Sequence, residues 1–124
     1  MTVAPGPWRV SAVSGEDMAL WCRLMRDDNA IHLDRAAAER AGFGPRRVNP
    51  GPANLAHVLT MMLHDDPEAR FARVEARFLG NVFEGDTVEA VPVDAEAGQG
   101  AELRRGAEGT PVLSVRMWME DDAP

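Results

Sequence analysis

The stretch NPGPANLAHVLTMMLHDDP (residues 49–67) decides the architecture. Pro and Gly stand at its entrance and Pro67 lies beyond its end, the boundary signals of a helix. Between them Leu55, Ala56, Val58, Leu59, Met61, Met62 and Leu63 leave almost no polar face. A helix that is apolar nearly all round has to be covered on nearly all sides. The rest of the chain must therefore supply a wrapper.

Downstream, RFARVEARFL (70–79) alternates Ala72, Val74, Ala76 and Phe78 against Arg73, Glu75 and Arg77, as a half-buried strand does. EGD (84–86) reads as a turn. TVEAVPVDAEA (87–97) alternates again, with Pro92 marking an edge or a bulge. AELRRG (101–106) carries a fainter strand pattern. TPVLSVRMWME (110–120) sets Leu113, Val115, Met117 and Met119 on one face and Val112, Ser114, Arg116 and Trp118 on the other. Four strands with short Gly-containing connections predict an antiparallel meander or something close to it. WRVSAV (8–13) upstream makes a fifth strand. The predicted class is α+β, a five-stranded antiparallel sheet around a long central helix, in one domain spanning residues 1–124.

Between the first strand and the central helix, SGED (14–17) has the capping-box spacing. Met18, Trp21, Cys22 and Met25 then recur at helical intervals, predicting a helix to about Arg26. A short helix follows from about Asp34 to Arg40, stopped by Gly42. Asp34 suits its N-cap.

Composition narrows the function. Of 124 residues, 45% are hydrophobic and 27% charged, as in an ordinary globular protein. A net charge of −7 opposes loose binding to nucleic acid or anionic membrane. The N-terminus lacks the basic start and apolar run of a secretion signal. The longest apolar segment, LAHVLTMML, is too short to cross a bilayer. The single cysteine, Cys22, excludes an internal disulfide and suits a reducing compartment, so cytoplasm is the expected location. Cys22 falls on the apolar helix side, as an inert buried thiol would.

RDDNAIHLD (26–34) crowds carboxylates, an amide and an imidazole together where the first helix ends. Asp27-x-Asn29-Ala30-Ile31-His32 resembles the Asp-x-Asn-Pro-Leu-His signature of MaoC-like hydratases and dehydratases, continuing into Asp34 and Ala37. AGFG (41–44) and VNPG (48–51) resemble that family's Gly-Phe segment and the Gly opening its central helix. NVFEGDTVEA (81–90) resembles its later strand-turn-strand. The resemblance runs from about Val10 to Glu89. Three positions differ: Arg26 stands for the usual Gly, Ala30 for Pro, and Pro50 for His.

The resemblance implies a hot-dog fold and a hydro-lyase interconverting 2-enoyl and 3-hydroxyacyl thioesters, carried on coenzyme A or acyl carrier protein. It implies Asp27 and His32 sharing the reacting water, and pairing of two copies into a homodimer with each pocket between subunits. It implies no metal or redox cofactor. Asn29 would hold the loop or orient the water. Asn54 in the helix's first turn is a further candidate substrate contact. Arg46 and Arg47, just before the helix, would meet coenzyme A or carrier phosphates, or else form a solvated basic turn.

Gly51 can be argued from the chain itself. The first amides of a helix lack internal partners and form its positive end. Pro50 and Pro52 carry no N–H, so Gly51 is the one donor of the three. A thioester carbonyl can come close to a glycine backbone. Each assignment has a plainer rival: Asp27, Asp28 and Asn29 also suit a helix stop, and Gly51 an ordinary helix start. A core or subunit-contact role suits His57, and core packing suits the methionines. A hot-dog acyl thioesterase and a non-catalytic protein binding an acyl or polyketide-like ligand remain the alternative functions.

Overall fold

A computed structural model describes residues 6–120. The reading of residues 1–5 as free of a secretion signal lies outside this range. In chain order the elements are β1 (Trp8–Val10), α1 (Gly15–Met25), a 3-10 turn (Ala30–His32), α2 (Arg35–Arg40), α3 (Gly51–His64), β2 (Phe71–Phe78), β3 (Val88–Val93), β4 (Gln99–Arg105) and β5 (Thr110–Met119). Ser14 caps α1, its side chain accepting the Asp17 N–H at 3.0 Å. Asp34 caps α2 in the same way through Ala36.

All strand pairs are antiparallel, in the order β1-β3-β4-β5-β2. The meander expected from the sequence holds for β3, β4 and β5. It fails for β2, which pairs with β5 and not with its sequence neighbour β3. Residues 79–87 are therefore a crossover spanning the sheet, and the EGD turn within them closes no hairpin. The faint AELRRG pattern proves central: β4 is flanked on both sides, and Ala101 and Leu103 are fully buried.

The first strand is shorter than the six residues expected. The ladder with β3 ends at Val10. Val13 instead bonds the EGD turn, donating to the Asp86 carbonyl at 3.0 Å and accepting the Gly85 N–H at 2.7 Å. At the other end of that ladder, Pro92 lies beyond the Trp8–Ala90 pair where β1 begins, so it pairs with Ala101 of β4 and with no residue of β1.

Helix α3 packs across β1, β3, β4 and β5. Val58, Met61 and Met62 join Met18, Leu103, Leu113 and Met117 in the core, each buried side chain worth about 1.5–3 kcal/mol over its exposed state. Coverage is less complete than the apolar sequence demands: Leu55, Ala56, Leu59 and Leu63 are half-buried. The inner face of β2 is also open, with Ala76 exposed and Phe78 53% accessible, and Leu79 just beyond the strand is 52% accessible. The described residues leave this wrapper unfinished.

Candidate active site

The loop after α1 is folded by its own side chains. Arg26 turns the chain in the left-handed conformation (φ 55°), its N–H reaching back to Cys22 and Arg23 carbonyls. Asp27 Oδ1 accepts the Asn29 N–H at 3.0 Å, and Asn29 Oδ1 accepts the Ile31 N–H at 3.3 Å. Short polar side chains favour such turns because they substitute for backbone partners. With Oδ1 so engaged, Asp27 Oδ2 faces His32 Nε2 across 3.6 Å.

His32 is buried (8% exposed), and its Nδ1 lies 2.7 Å from the Val48 carbonyl. A carbonyl only accepts, so Nδ1 carries the hydrogen and the neutral ring keeps its lone pair on Nε2. The Asp27 side chain is 36% exposed and opens the pair towards solvent.

The second wall is the approach to α3. Val48 N–H donates to Ile31 O at 2.9 Å, and Val48 forms an isolated bridge with Phe83. Asn49 N–H donates to Val82 O at 2.7 Å. At the helix start the Ala53 and Asn54 N–H groups return to Pro50 O at 3.0 and 3.2 Å. The Gly51 amide has no backbone acceptor among the described residues. It follows Val48 by three residues, a reach of at most about 11 Å. A methyl group added at Gly51 would sit 3.2 Å from the Phe78 ring, so the glycine is needed for that close approach.

The other expected contacts lie elsewhere. Arg46 donates to Asp86 Oδ1 at 2.7 Å and to Glu84 O at 3.1 Å, its guanidinium resting 5.1 Å from the Phe83 ring centre. Arg47 grips the Glu84 carboxylate at 3.1 and 3.4 Å. Both guanidinia are thus ion-paired within the chain, Arg46 with its side chain half exposed and Arg47 more covered. Asn54 is buried and accepts the Asn49 side-chain N–H at 2.6 Å, bracing the helix entrance.

Glu84 itself escaped sequence reasoning. Arg35 grips the same carboxylate at 2.9 and 2.7 Å. Hydrogen bonds from Arg35 above all, then Arg47, hold its acid at about 2, against the opposing effect of burial. The partners are 49 and 37 residues away, so no local pattern announces them.

A groove of about 620 Å³ runs beside α1, bounded by Ala19, Cys22, Arg23, Arg26, Asp27 and Leu33. Asp27 forms part of its wall, whereas His32, 3.6 Å from Asp27 Oδ2, does not line it. Burial pushes the Cys22 thiol up, and the Asp27 charge adds to the effect. A cavity of about 90 Å³ between β1, α1 and α3 is bounded by Asp17, Trp21, Asn49 and His57. Burial lowers the His57 pKa, Asp17 opposing. His64 lies against Trp8 at a tilt of 50°, with ring centres 4.8 Å apart.

The family model described as "MaoC like domain" matches residues 5–115, and the chain belongs to that family of hot-dog hydratases and dehydratases. The structure is similar to the R-hydratase PhaJ1 of Pseudomonas aeruginosa, with a TM-score of 0.76 at 19% identity over 95% of this chain and 81% of that one. It is equally similar to an (R)-hydratase of A. caviae involved in PHA biosynthesis: TM-score 0.77, 19% identity, 94% of this chain and 96% of that one. The HadBC 3R-hydroxyacyl-ACP dehydratase complex of Mycobacterium tuberculosis matches with a TM-score of 0.63 at 15% identity, over 96% of this chain and 98% of that one. No curated protein matches the sequence.

Proposed function

We propose that this protein is a hydro-lyase that adds water reversibly across the double bond of a 2-enoyl thioester carried on coenzyme A or an acyl carrier protein. The observation that carries the reading is the meeting of Asp27 Oδ2 and His32 Nε2 at 3.6 Å with the imidazole hydrogen committed to Val48. Two acceptors at that spacing suit one water standing to the side and donating one O–H to each. As its oxygen bonds to C3, one proton passes to the pair, and a proton returns to C2 as the double bond is consumed. The free Gly51 amide would hold the enolate-like thioester oxygen; loss of one such donor typically costs about 3–4 kcal/mol. Asn29 shapes the loop through its bond to Ile31.

The same reading takes the whole chain, residues 1–124, as one hot-dog domain working in the cytoplasm. No described helix is long and apolar enough to cross a membrane. It also takes the protein as a homodimer closed through β2. That strand is an eight-residue sheet edge without Pro or Lys, with an exposed apolar face, whereas the opposite edge, β1, has three residues. Arg73, Glu75 and Arg77 charge this edge, so a second copy would have to pair with it through its exposed apolar face and complementary charges. Sizing in solution should return twice the chain mass, and a monomer at micromolar concentration would overturn the dimer.

A spectrophotometric screen of short, branched and aromatic 2-enoyl thioesters, with Asp27→Asn as blank, tests the chemistry. Loss of the enoyl absorbance in wild type alone is expected. Release of free thiol would mark a thioesterase, and thermal stabilisation by the thioester without turnover would mark a binding protein.

A further inference from the structure

We propose that Glu84 is a positioning residue for the His32 imidazole, acting through Arg35, Arg47 and the Val48 carbonyl; this rests on the reading of Asp27 and His32 as the reacting pair. His32 lies between two anchors. Arg35 follows it by three residues at the start of α2, and Val48, whose carbonyl fixes Nδ1, follows Arg47 directly. One carboxylate ties both flanks. Arg35 donates to Oε1 and Oε2 at 2.9 and 2.7 Å, and Arg47 donates to the same two oxygens at 3.4 and 3.1 Å. The Glu84 N–H adds a bond of 2.9 Å to the Arg47 carbonyl.

Arg47 has little other reason to lie where it does. A Cβ on Gly15 would fall 2.4 Å from its guanidinium carbon, so the cation rests against the first residue of α1. That is the positive end of a helix, where a cation is disfavoured. It also shares the site with the Arg35 cation. Charge-assisted bonds to Glu84 offset both penalties. With Glu84 neutral, two guanidinia and a helix N-terminus repel one another, and the Arg47–Val48 segment loses the restraint that aims its carbonyl. The Val48–Ile31 and Val48–Phe83 pairings remain, so the imidazole loosens without coming free.

The tautomer of His32 reads this directly. Histidine ring ¹⁵N spectra of wild type, Glu84→Gln and Glu84→Asp are recorded well below each melting temperature, with His32→Gln to assign the signal. Wild type should show hydrogen on Nδ1. Glu84→Gln should show a mixture with hydrogen on Nε2, and Glu84→Asp should restore most of the wild-type form. With a turned-over enoyl thioester, Glu84→Gln should lose roughly tenfold in kcat with KM within about twofold, since small misplacement of a reacting group acts on the chemical step.

A folded Glu84→Gln with the wild-type His32 tautomer overturns the proposal, because a brace serving stability alone moves the melting temperature and leaves the tautomer unchanged. If Glu84→Gln does not fold, Arg35→Met removes only the outer arm, whose side chain is 64% exposed, and should shift the tautomer in the same direction. Absence of wild-type turnover on every enoyl thioester would remove the reading beneath the proposal and leave the spectra to judge the brace alone.

Discussion

Residues 26–34 and 79–87 are irregular segments of equal length that converge on Val48 and are held by opposite means. The first is folded by bonds spanning two residues: Asp27 to Asn29, Asn29 to Ile31, Asp34 to Ala36. The second has one local brace, between Phe83 and Asp86, and is otherwise held by partners far away in the chain, with Val82 on Asn49, Phe83 on Val48, Glu84 on Arg35 and Arg47, and Asp86 on Arg46 and Val13. In the proposed reading the local loop carries the reacting groups, and the non-local crossover fixes the frame they point into. Damage to the first should remove chemistry and spare the fold, whereas damage to the second should weaken both in part.

The largest effect belongs to the loop. Asp27→Asn and His32→Ala are each expected to lower turnover by roughly 10³-fold or more, the order that general acid–base groups contribute. Circular dichroism should remain close to wild type in both, and melting too in Asp27→Asn, whose Asn can still accept the Asn29 N–H. His32→Ala instead empties a buried position, leaves the Val48 carbonyl unpaired and should lower Tm. Near-normal rates in both variants would erase the functional half of the contrast.

Gly51→Ala comes next and probes the wall between the two regions. The added methyl would press on the Phe78 ring from 3.2 Å, so ring or helix start has to shift by a few tenths of an ångström. Roughly tenfold lower kcat/KM is expected, since catalytic geometry tolerates little displacement. Pairing it with Phe78→Leu, which relieves the crowding, should recover most of the loss. A Gly51→Ala enzyme with wild-type kinetics would show that the amide's position has no bearing on turnover.

The crossover should announce itself in acid. Glu84 is held at about 2, below its ordinary 4.5, with hydrogen bonds from Arg35 the foremost cause. A depressed carboxyl stabilises the fold fully above its unfolded pKa and loses that contribution as protons bind the folded form. The Glu84 contribution should therefore decline between about pH 4.5 and pH 2. Glu84→Gln should cost about 1–2 kcal/mol near neutrality, as expected of charged hydrogen bonds with one well-exposed partner. Urea unfolding across that pH range should show a flatter acid limb in the variant, and parallel curves would contradict the assigned role.

The same contrast explains what could be read from the chain alone. The helix at 51–64, both Ser14 and Asp34 caps and the Asp27–His32 spacing all follow from side chains near one another in sequence. The β2 error has the opposite origin. Alternation in RFARVEARFL reveals a strand and its two faces, yet carries no information about which strand lies beside it. The ion pairs of Arg46 and Arg47 were illegible for the same reason: their carboxylate partners lie 37 to 40 residues away. The half-covered α3 and open β2 face record one more non-local fact, since an apolar surface in the sequence does not say whether its own chain covers it.

Arg26 offers the mildest test and the cleanest, because its conformation depends on the local turn alone. It is the non-glycine residue with positive φ among the described positions (55°), at the point where α1 stops. A side chain there crowds the backbone, and glycine at such a helix end avoids the strain. Its guanidinium has no ion pair within 4 Å among the described residues, so replacement removes little that is favourable. Arg26→Gly is expected to stabilise the protein by about 1 kcal/mol, a rise of roughly 3–6 °C in Tm, despite the extra freedom glycine gives the unfolded chain. A fall in Tm would mean that the arginine side chain holds the end of α1 through contacts beyond the turn, and the loop would then be less self-contained than its hydrogen bonds indicate.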